Sequence, residues 1–447
     1  MHLYGQQTLA EEGRTIAASV REARALSDEL FRVVRPESLY ERPIPERHRI
    51  LFYLGHLEAF DWNLIGRNIL GLDSFHKEFD RLFAFGIDPV GGGLPNDQPS
   101  DWPSISQVDH YNRRVRQTLD AALEKTSFSD PALPLLRDGY ALHVALEHRL
   151  MHAETLAYML HHLPFESKLC QKQVLLADAP PAAPAMTRIL AGVATLGMPR
   201  IEGEAFGWDN EFETQEVTVP EFAIDVNNVT NRQFLEFMRA GGYEDRRFWM
   251  NSDWEWKEEQ GIEHPFFWTH RGEQWFYRAM FEEIPLPLDW PVYVSHAEAS
   301  AYARWAGKEL PTEAQFHRAA FGTANGPERD YPWGNQPPQP HLGNFDFQRW
   351  DPAAAGSFPS GRSAFGVADM VGNGWEWTST VFAPLPGFQA FPFYPGYSAD
   401  FFDGKHFVMK GGSARTAGRL LRRSFRNWFQ PHYPYVYAKF RCVTSAF

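Results

Sequence analysis

Two histidines four residues apart are the first feature of the chain with the spacing of a metal site. They are His148 and His152, in a segment of helical periodicity that reads Glu-His-Arg-Leu-Met-His-Ala-Glu over residues 147–154. Residues four apart lie on one face of a helix, so both imidazoles can reach the same ion. Two hydrogen-bonded histidines on an amphipathic helix would show the same spacing, and the pair alone does not separate these interpretations.

A third histidine extends the pair. His56 shares an apolar stripe with Phe52 and Phe60 in an earlier helical segment, where a single histidine would ordinarily be a hydrogen-bonded core residue. Three imidazoles on facing helices would bind one face of an ion and leave its other positions open to small molecules. We therefore predict that His56, His148 and His152 bind a metal. Glu154 lies about 200° around the helix from His152 and is not expected to bind the same ion.

The elements that would position these histidines form the first third of the chain. Apolar residues recur at helical spacing over residues 8–34, 46–69, 105–125 and 131–160. Pro45 precedes the second of these segments and Gly71 follows it, as is typical of helix ends. Four successive amphipathic helices predict a four-helix bundle.

A long irregular segment, residues 83–103, joins the second predicted helix to the third. Its glycines and prolines exclude regular structure, and it contains Asp88, Asp97 and Asp101 but no lysine or arginine. Long loops in compact domains are commonly functional. This acidic loop can therefore cover a site between the helices.

The composition limits the class of protein. A length of 447 residues favours two or three domains, and a net charge of -13 argues against nucleic acid or an anionic membrane as a partner. The chain has no run of 18 apolar residues and does not begin with a signal peptide. Its two cysteines, Cys170 and Cys442, provide no disulfide framework or thiolate cluster. We expect a soluble cytoplasmic protein; the oligomeric state stays open.

A segment rich in alanine and proline, residues 177–185, has the composition of a linker. We assign residues 1–170 to the helical domain, 171–187 to the linker and 188–447 to a second domain. The predicted fold class is thus a multidomain α+β protein. Within the second domain, strands are predicted at residues 216–219 and 222–225, and helices at 231–239, capped by Thr230, and at 297–306.

Separated motifs in the second domain resemble those of the formylglycine-generating-enzyme-like fold, a variant of the C-type lectin fold. They are Pro-Val-Tyr-Val-Ser at 291–295, Ala-Arg-Trp-Ala-Gly-Lys-Glu-Leu-Pro-Thr-Glu-Ala-Gln at 303–315, Tyr-Pro-Trp-Gly-Asn at 331–335, Asp-Met-Val-Gly-Asn-Gly-Trp-Glu-Trp-Thr at 369–378 and Lys-Gly-Gly-Ser at 410–413. Their glycines suit tight turns, and we assign their tryptophans to packing. Formylglycine generation depends on paired cysteines in this domain, and Cys442 stands alone there. A non-catalytic, lectin-like binding protein remains an alternative.

Nearly the whole chain resembles the EgtB-like sulfoxide synthases of the ergothioneine pathway and the SenA-like selenoxide synthases of the selenoneine pathway. In both, a DinB-like bundle with three histidines precedes a domain of this type. The resemblance implies that His56, His148 and His152 hold a non-haem Fe(II). With O2 as co-substrate, the iron would couple a sulfur or selenium donor to C2 of the imidazole of hercynine, which is trimethylhistidine.

The resemblance also implies roles for residues of the second domain. Asn427 and Trp428 resemble the family's Asn-Trp pair, which binds the trimethylammonium group of hercynine. The family's active-site tyrosine, a proton donor, falls in the aromatic segment 387–398. We assign this role to Tyr394, with Tyr397 as the second choice.

The donor is suggested by two departures from the family pattern. Members that use gamma-glutamylcysteine have a carboxylate and an arginine after the Asn-Trp pair, whereas Phe429 and Gln430 follow it here, and the family's donor-binding arginines are absent from the acidic loop. A dianionic donor would meet these aspartates without a bidentate arginine partner. A neutral selenosugar is therefore predicted, which would make the protein a selenoxide synthase of selenoneine biosynthesis. Sulfoxide synthesis from cysteine or gamma-glutamylcysteine is the alternative.

Overall fold

The structure is a computed structural model that describes residues 2–84, 96–171, 183–200 and 206–445. The chain forms two compact units, Met1–Gln171 and Lys172–Phe447. Asp88 and most of the predicted linker lie outside the described residues. Among the helices of the described residues, none combines the length and apolarity needed to cross a membrane.

Within its described residues, the N-terminal unit contains four long α-helices and one short one. These are α1 (His2–Phe31), α2 (Ile50–Asp61), α3 (Lys77–Leu82), α4 (Ile105–Leu123) and α5 (Tyr140–His162). α1 packs against α5, and α2 packs against both α4 and α5. The predicted four-helix bundle is confirmed, with α3 as an addition.

Three predicted helix starts are wrong. α1 begins at His2 and not at residue 8. α2 begins at Ile50 and not at residue 46, because Arg49 has an extended backbone and its side chain donates to the carbonyl of Tyr40, at 2.7 Å. α5 begins at Tyr140 and not at residue 131. Gly139, just before it, is left-handed with φ of 68°, a conformation that a right-handed helix cannot contain.

The predicted end of the second helix is close to the observed one, although its last turns are unusual. α2 continues as a π-helix over Trp62–Ile69. There the amide of Leu70 donates to the carbonyl of Ile65, five residues earlier, at 2.9 Å. Gly71 follows in the left-handed conformation typical of a helix end.

The C-terminal unit contains short strands, helices and many turns. Its strands are β1 (Met186–Ile189), β2 (Gly192–Leu196), β3 (Gln215–Val219), β4 (Phe222–Asp225), β5 (Trp268–Arg271), β6 (Gln274–Arg278), β7 (Glu283–Pro285), β8 (Trp375–Val381), β9 (Phe407–Lys410), β10 (Asn427–Phe429), β11 (Ala438–Lys439) and β12 (Val443–Ser445). Its helices are α6 (Asn231–Arg239), α7 (Asn251–Gln260), α8 (His296–Trp305) and α9 (Glu313–Phe321). The mixed α+β class is thereby confirmed, and β1 begins inside the segment assigned to the linker.

The strands of the described residues form four small sheets, in the orders β1-β4-β12, β2-β3, β5-β6-β7 and β10-β9-β8-β11. In the last sheet β9 separates the Trp-Glu-Trp strand β8 from β10. Met409 of β9 is opposite Trp377 on one side and Asn427 on the other. The strand that begins with Asn427 and Trp428 therefore has a register set by a buried neighbour.

The Trp-Glu-Trp motif supports the interior of this unit. Trp375 and Trp377 are buried. Between them, Glu376 is fully enclosed and accepts hydrogen bonds from Lys439 at 2.8 Å and Arg441 at 2.7 Å. Burial alone would raise the pKa of Glu376, but these cations outweigh it and lower the pKa to about 2. The glutamate of the motif thus forms a buried ion cluster, and the two tryptophans pack on either side of it in the sequence.

Candidate metal centre and substrate-binding residues

Three buried histidines converge inside the N-terminal unit. The Nε2 atom of His152 on α5 lies 3.1 Å from Nε2 of His148 and 3.2 Å from Nε2 of His56 on α2. Ligand atoms of all three lie within 4.8 Å of one another. Two nitrogens bound at right angles about 2.1 Å from an ion would be about 3.0 Å apart. The spacings from His152 to His148 and to His56 therefore fit neighbouring ligand positions around one ion.

The orientation of His56 is set by a backbone contact. Its Nδ1 atom lies 2.7 Å from the carbonyl of Phe83, just after α3. A carbonyl only accepts, so Nδ1 carries the hydrogen and Nε2 presents its lone pair toward the other histidines. The ring of Phe60 stacks on His148 with centroids 3.5 Å apart, and Phe52 stacks on His56 at 4.9 Å. Aromatic walls thus restrict the rotation of both imidazoles.

Burial also decides the protonation state of the three histidines. It lowers the pKa of His56 to about 4 and that of His148 and His152 well below 6.5, and neighbouring cations and imidazoles add to the effect. Neutral imidazoles are the form that binds metals. Glu154 is buried and is not among the three converging residues.

Residues of the C-terminal unit assigned to hercynine also form a cluster. Trp428 stacks on Phe382, with centroids 4.2 Å apart and planes within 7°. Tyr397 and Phe401 approach the same indole ring, each at 5.6 Å. Asn427 accepts a hydrogen bond from the backbone amide of Trp428 at 2.9 Å. Both predicted residues are half-buried, so their side chains are partly accessible.

The two candidate tyrosines occupy different positions. Tyr397 contacts Trp428 and stacks on Trp208 at 4.1 Å, whereas Tyr394 contacts Tyr397 at 5.6 Å. Next to Tyr397, the hydroxyl of Ser398 donates to the buried carboxylate of Asp209 at 2.5 Å. Trp208 and Asp209 were missed from the sequence, where only a short aromatic and acidic run before β3 could have drawn attention to them.

The two residues after the Asn-Trp pair differ in exposure. Phe429 stacks on Tyr433 at 5.1 Å, whereas Gln430 is exposed. His432, two residues further on, contacts Asp253 of α7 at 2.9 Å and stacks on Trp256. The segment after β10 is therefore anchored to α7, with Gln430 at its surface.

Asp97, in the described part of the acidic loop, is neutralised by arginines of the N-terminal unit. Asp97 binds Arg42 and Arg49, the latter at 2.8 Å, and accepts from the indole of Trp102 at 2.7 Å. Burial alone would raise the pKa of Asp97, but these partners lower it. Asp101 accepts from the amide of Gln98 at 2.7 Å. Asp97 is therefore already paired with arginines, whereas Asp101 stays exposed at a short turn.

Comparisons with known proteins agree with this architecture. Residues 172–446 match the family described as sulfatase-modifying factor enzyme 1-like domain, and residues 19–156 match the DinB superfamily. The first match covers more than half of the chain. The predicted combination of the two domain types is confirmed.

Curated relatives share both parts. A hercynine oxygenase of Mycolicibacterium thermoresistibile is 35% identical over 345 residues, which cover 76% of this chain and 74% of the relative. A hercynine oxygenase of Mycobacterium tuberculosis is 36% identical over 313 residues, which cover 69% and 72%. Ergothioneine biosynthesis protein 1 of Neurospora crassa is 27% identical over 495 residues, which cover 91% of this chain and 55% of that protein. These relatives indicate an enzyme and not the alternative, a non-catalytic binding protein. The chain therefore belongs to the EgtB-like family of oxygenases.

Proposed function

We propose that the protein binds Fe(II) through His56, His148 and His152 and uses O2 to join a selenium or sulfur donor to C2 of the imidazole of hercynine. The convergence of three buried, neutral imidazoles in a chain of this oxygenase family is the observation that carries the proposal. Bound Fe(II) would supply the activation of O2, and three histidines leave positions open for it. The three histidines fit Fe(II), because neutral imidazole nitrogens are ligands that iron binds.

The overall reaction balances with these substrates alone. The C2–H bond of hercynine and the Se–H or S–H bond of the donor are broken, and a carbon–selenium or carbon–sulfur bond forms. One oxygen atom of O2 ends on the selenium or sulfur, and the other leaves as water with the two hydrogens. A residue that holds a proton near the reacting atoms is therefore useful to the enzyme.

We assign hercynine recognition to Asn427 and Trp428. A trimethylammonium group has no hydrogen to donate, so aromatic faces are its natural partners. Trp428 stands among Phe382, Phe401 and Tyr397, which supports this role. The contact between Tyr397 and Trp428 also favours Tyr397 over Tyr394 as the proton donor.

We propose a selenosugar as the donor. Arg42 and Arg49 already bind Asp97, so a dianionic peptide could use them only by displacing a carboxylate that is in place. Phe429 offers a ring face and Gln430 an exposed amide, which suit the carbon face and the hydroxyls of a neutral sugar. The relatives are named hercynine oxygenase and ergothioneine biosynthesis protein 1, which favours a second candidate, ergothioneine biosynthesis. In that case the protein would be a sulfoxide synthase with cysteine or gamma-glutamylcysteine as donor.

A donor comparison tests this function. Purified protein is loaded with Fe(II), mixed with hercynine and one of a selenosugar, a thiosugar, cysteine or gamma-glutamylcysteine, and exposed to air. Mass spectrometry identifies the product while an electrode follows O2. We expect a selenoxide from the selenosugar. Product from gamma-glutamylcysteine alone would contradict the donor assignment, and no product from any donor would contradict the activity.

A further inference from the structure

A buried arginine connects the two helices that carry the histidines. Arg149 follows His148 on α5 and is only 1% exposed. Its Nη2 atom donates to the carbonyl of Leu57, the residue that follows His56 on α2, at 2.9 Å. The link therefore joins positions directly adjacent to two of the three histidines, on two different helices.

The same guanidinium has further partners on α1 and α2. Nη1 donates to the carboxylate of Glu58 at 3.0 Å and to the hydroxyl of Ser27 at 3.2 Å, and Nη2 donates to Asp61 at 2.9 Å. Glu58 and Asp61 are almost fully buried. One planar group thus holds a backbone carbonyl, two carboxylates and a hydroxyl in fixed directions.

Stability alone does not account for this arrangement. Removing charges from water is costly, and well-packed apolar side chains commonly hold two helices together equally well or better. A guanidinium adds direction, because its hydrogen bonds lie in one plane and fix both the rotation and the rise of α2 against α5. Those are the two quantities that bring Nε2 of His56 within 3.2 Å of Nε2 of His152.

We propose that Arg149 is a positioning residue of the metal centre, which acts by holding α2 and α5 in the alignment that lets His56 share an ion with His148 and His152. The inference rests on the proposed metal site but not on the identity of the substrates. Arg149 does not itself bind the ion. Groups that orient metal ligands typically change metal affinity tenfold to a hundredfold when they are replaced.

The bundle contains a matched control residue. Arg116 on α4 also binds Glu58, at 2.7 Å, and pairs with Asp28 at 2.7 Å. It belongs to the same ion network, but it donates to the side chains of Asp28 and Glu58 and not to a backbone group beside a histidine. Arg116→Lys therefore perturbs the charge network without touching the link between the two helices.

Co(II) binding to the full-length metal-free protein tests the proposal. Lysine keeps the charge of Arg149 but cannot reach Leu57, Glu58, Asp61 and Ser27 together. We expect Arg149→Lys to weaken Co(II) binding by roughly tenfold to a hundredfold and to alter the visible absorption of the bound ion. Arg116→Lys should lower the melting temperature but leave the Co(II) Kd and spectrum unchanged.

Folding and metal binding can be separated with one more variant. If Arg149→Lys fails to fold, the combination Arg149→Met and Asp61→Asn removes one buried cation and one buried carboxylate together, while Glu58 keeps Arg116 and Arg24 keeps Asp120. This variant should fold while binding Co(II) weakly. A folded Arg149 variant with the wild-type Kd and spectrum would overturn the proposal. Wild-type protein that does not bind Co(II) would overturn the metal site and this inference together, whereas Co(II) binding without hercynine turnover would overturn only the proposed reaction.

Discussion

The chemistry available to the three histidines follows from the loss of water around them. An exposed imidazole is partly protonated near neutral pH, and its cationic form cannot bind a metal. Burial disfavours that cation, and the carbonyl of Phe83 fixes which nitrogen of His56 carries the hydrogen. Burial and the carbonyl of Phe83 together therefore keep His56 neutral, with its Nε2 lone pair available to a metal.

Replacing His148 with alanine should abolish bound iron and product formation together. The remaining His56 and His152 cannot define three positions around one ion, and a cavity replaces the imidazole. Metal analysis of the purified chain gives the iron content, and mass spectrometry gives the product. His110→Ala, at an exposed position of α4, should keep about one iron per chain. Stoichiometric iron in the His148 variant would contradict the assignment.

Replacing Trp428 with leucine should raise the KM for hercynine about tenfold, because a cation held against an aromatic face is stabilised by about 1–2 kcal/mol. The KM for the chalcogen donor should change little. Steady-state kinetics with each substrate varied in turn measure both values. Trp333→Leu is the control, since that half-buried ring stacks on Tyr331 in a separate cluster. Equal effects of the two substitutions would argue against a binding role for Trp428.

At the scale of elements, β10 is held in place by the residue that precedes it. Arg426 is buried and donates to Glu313 of α9 at 3.0 and 3.1 Å and to the carbonyl of Ala383 at 3.1 Å. Its guanidinium also lies over the ring of Phe382, 4.9 Å from the centroid, and that ring stacks on Trp428. The ion pair therefore supports the aromatic surroundings of the predicted hercynine site.

Glu313→Gln should destabilise the C-terminal unit by about 3–5 kcal/mol, because Arg426 and the nearby Lys410 would stay buried without their counter-charge. Denaturant unfolding followed by tryptophan fluorescence measures the change. The control is Glu221→Gln, which breaks the exposed pair with Arg188 and should have little effect on unfolding. A similar midpoint shift for both variants would contradict the role assigned to the buried pair.

Considered as a whole, the chain places its ionisable groups differently in its two units. The N-terminal interior contains a network of arginines and carboxylates beside the histidines. The C-terminal interior contains the buried ion pairs of Glu376 and Glu313, and a single cysteine. Cys442 is free and buried, and burial raises the pKa of its thiol well above the usual range. A thiol of this kind is not a reactive nucleophile, which agrees with the rejection of formylglycine chemistry.

The stability of the C-terminal unit should depend on pH through His296, the first residue of α8. Burial lowers the pKa of His296 to about 4, although Asp253 and the carbonyl of Thr378 act to raise it; Arg304 and His432 lower it further. The unfolded chain takes up this proton near pH 6.5, whereas the folded chain resists until about pH 4. The free energy of unfolding contributed by this group is therefore complete above pH 6.5 and is lost as the pH falls toward 4.

Replacing His296 with phenylalanine, which preserves the stacking on Phe407, should remove that part of the pH dependence. Between pH 6.5 and 4 the wild-type protein should lose about 3 kcal/mol more than the variant. Denaturant unfolding at several pH values measures the difference. Comparison with wild type is needed because other buried histidines titrate in the same range, and parallel curves would contradict the prediction.

Much of the fold was predictable from local pattern. The i and i+4 spacing of His148 and His152, the four helical segments and the helix at residues 231–239 capped by Thr230 all depend on residues close in sequence. Helical periodicity and capping act over three or four positions, so the chain itself displays them. The order of the motifs likewise indicated the C-terminal domain, because turns that need glycine and gaps that need tryptophan occur at fixed positions.

Contacts between distant residues were decided only by the tertiary structure. Sequence could suggest His56 as the third histidine, but the link from Arg149 to Leu57, the contact of Tyr397 with Trp428 and the capture of Asp97 by two arginines join residues between about 30 and 90 positions apart. The true starts of α2 and α5 depend on such contacts or on one glycine dihedral. Sequence reveals which groups are present; their protonation and partners depend on burial, and burial exists only once the chain has packed.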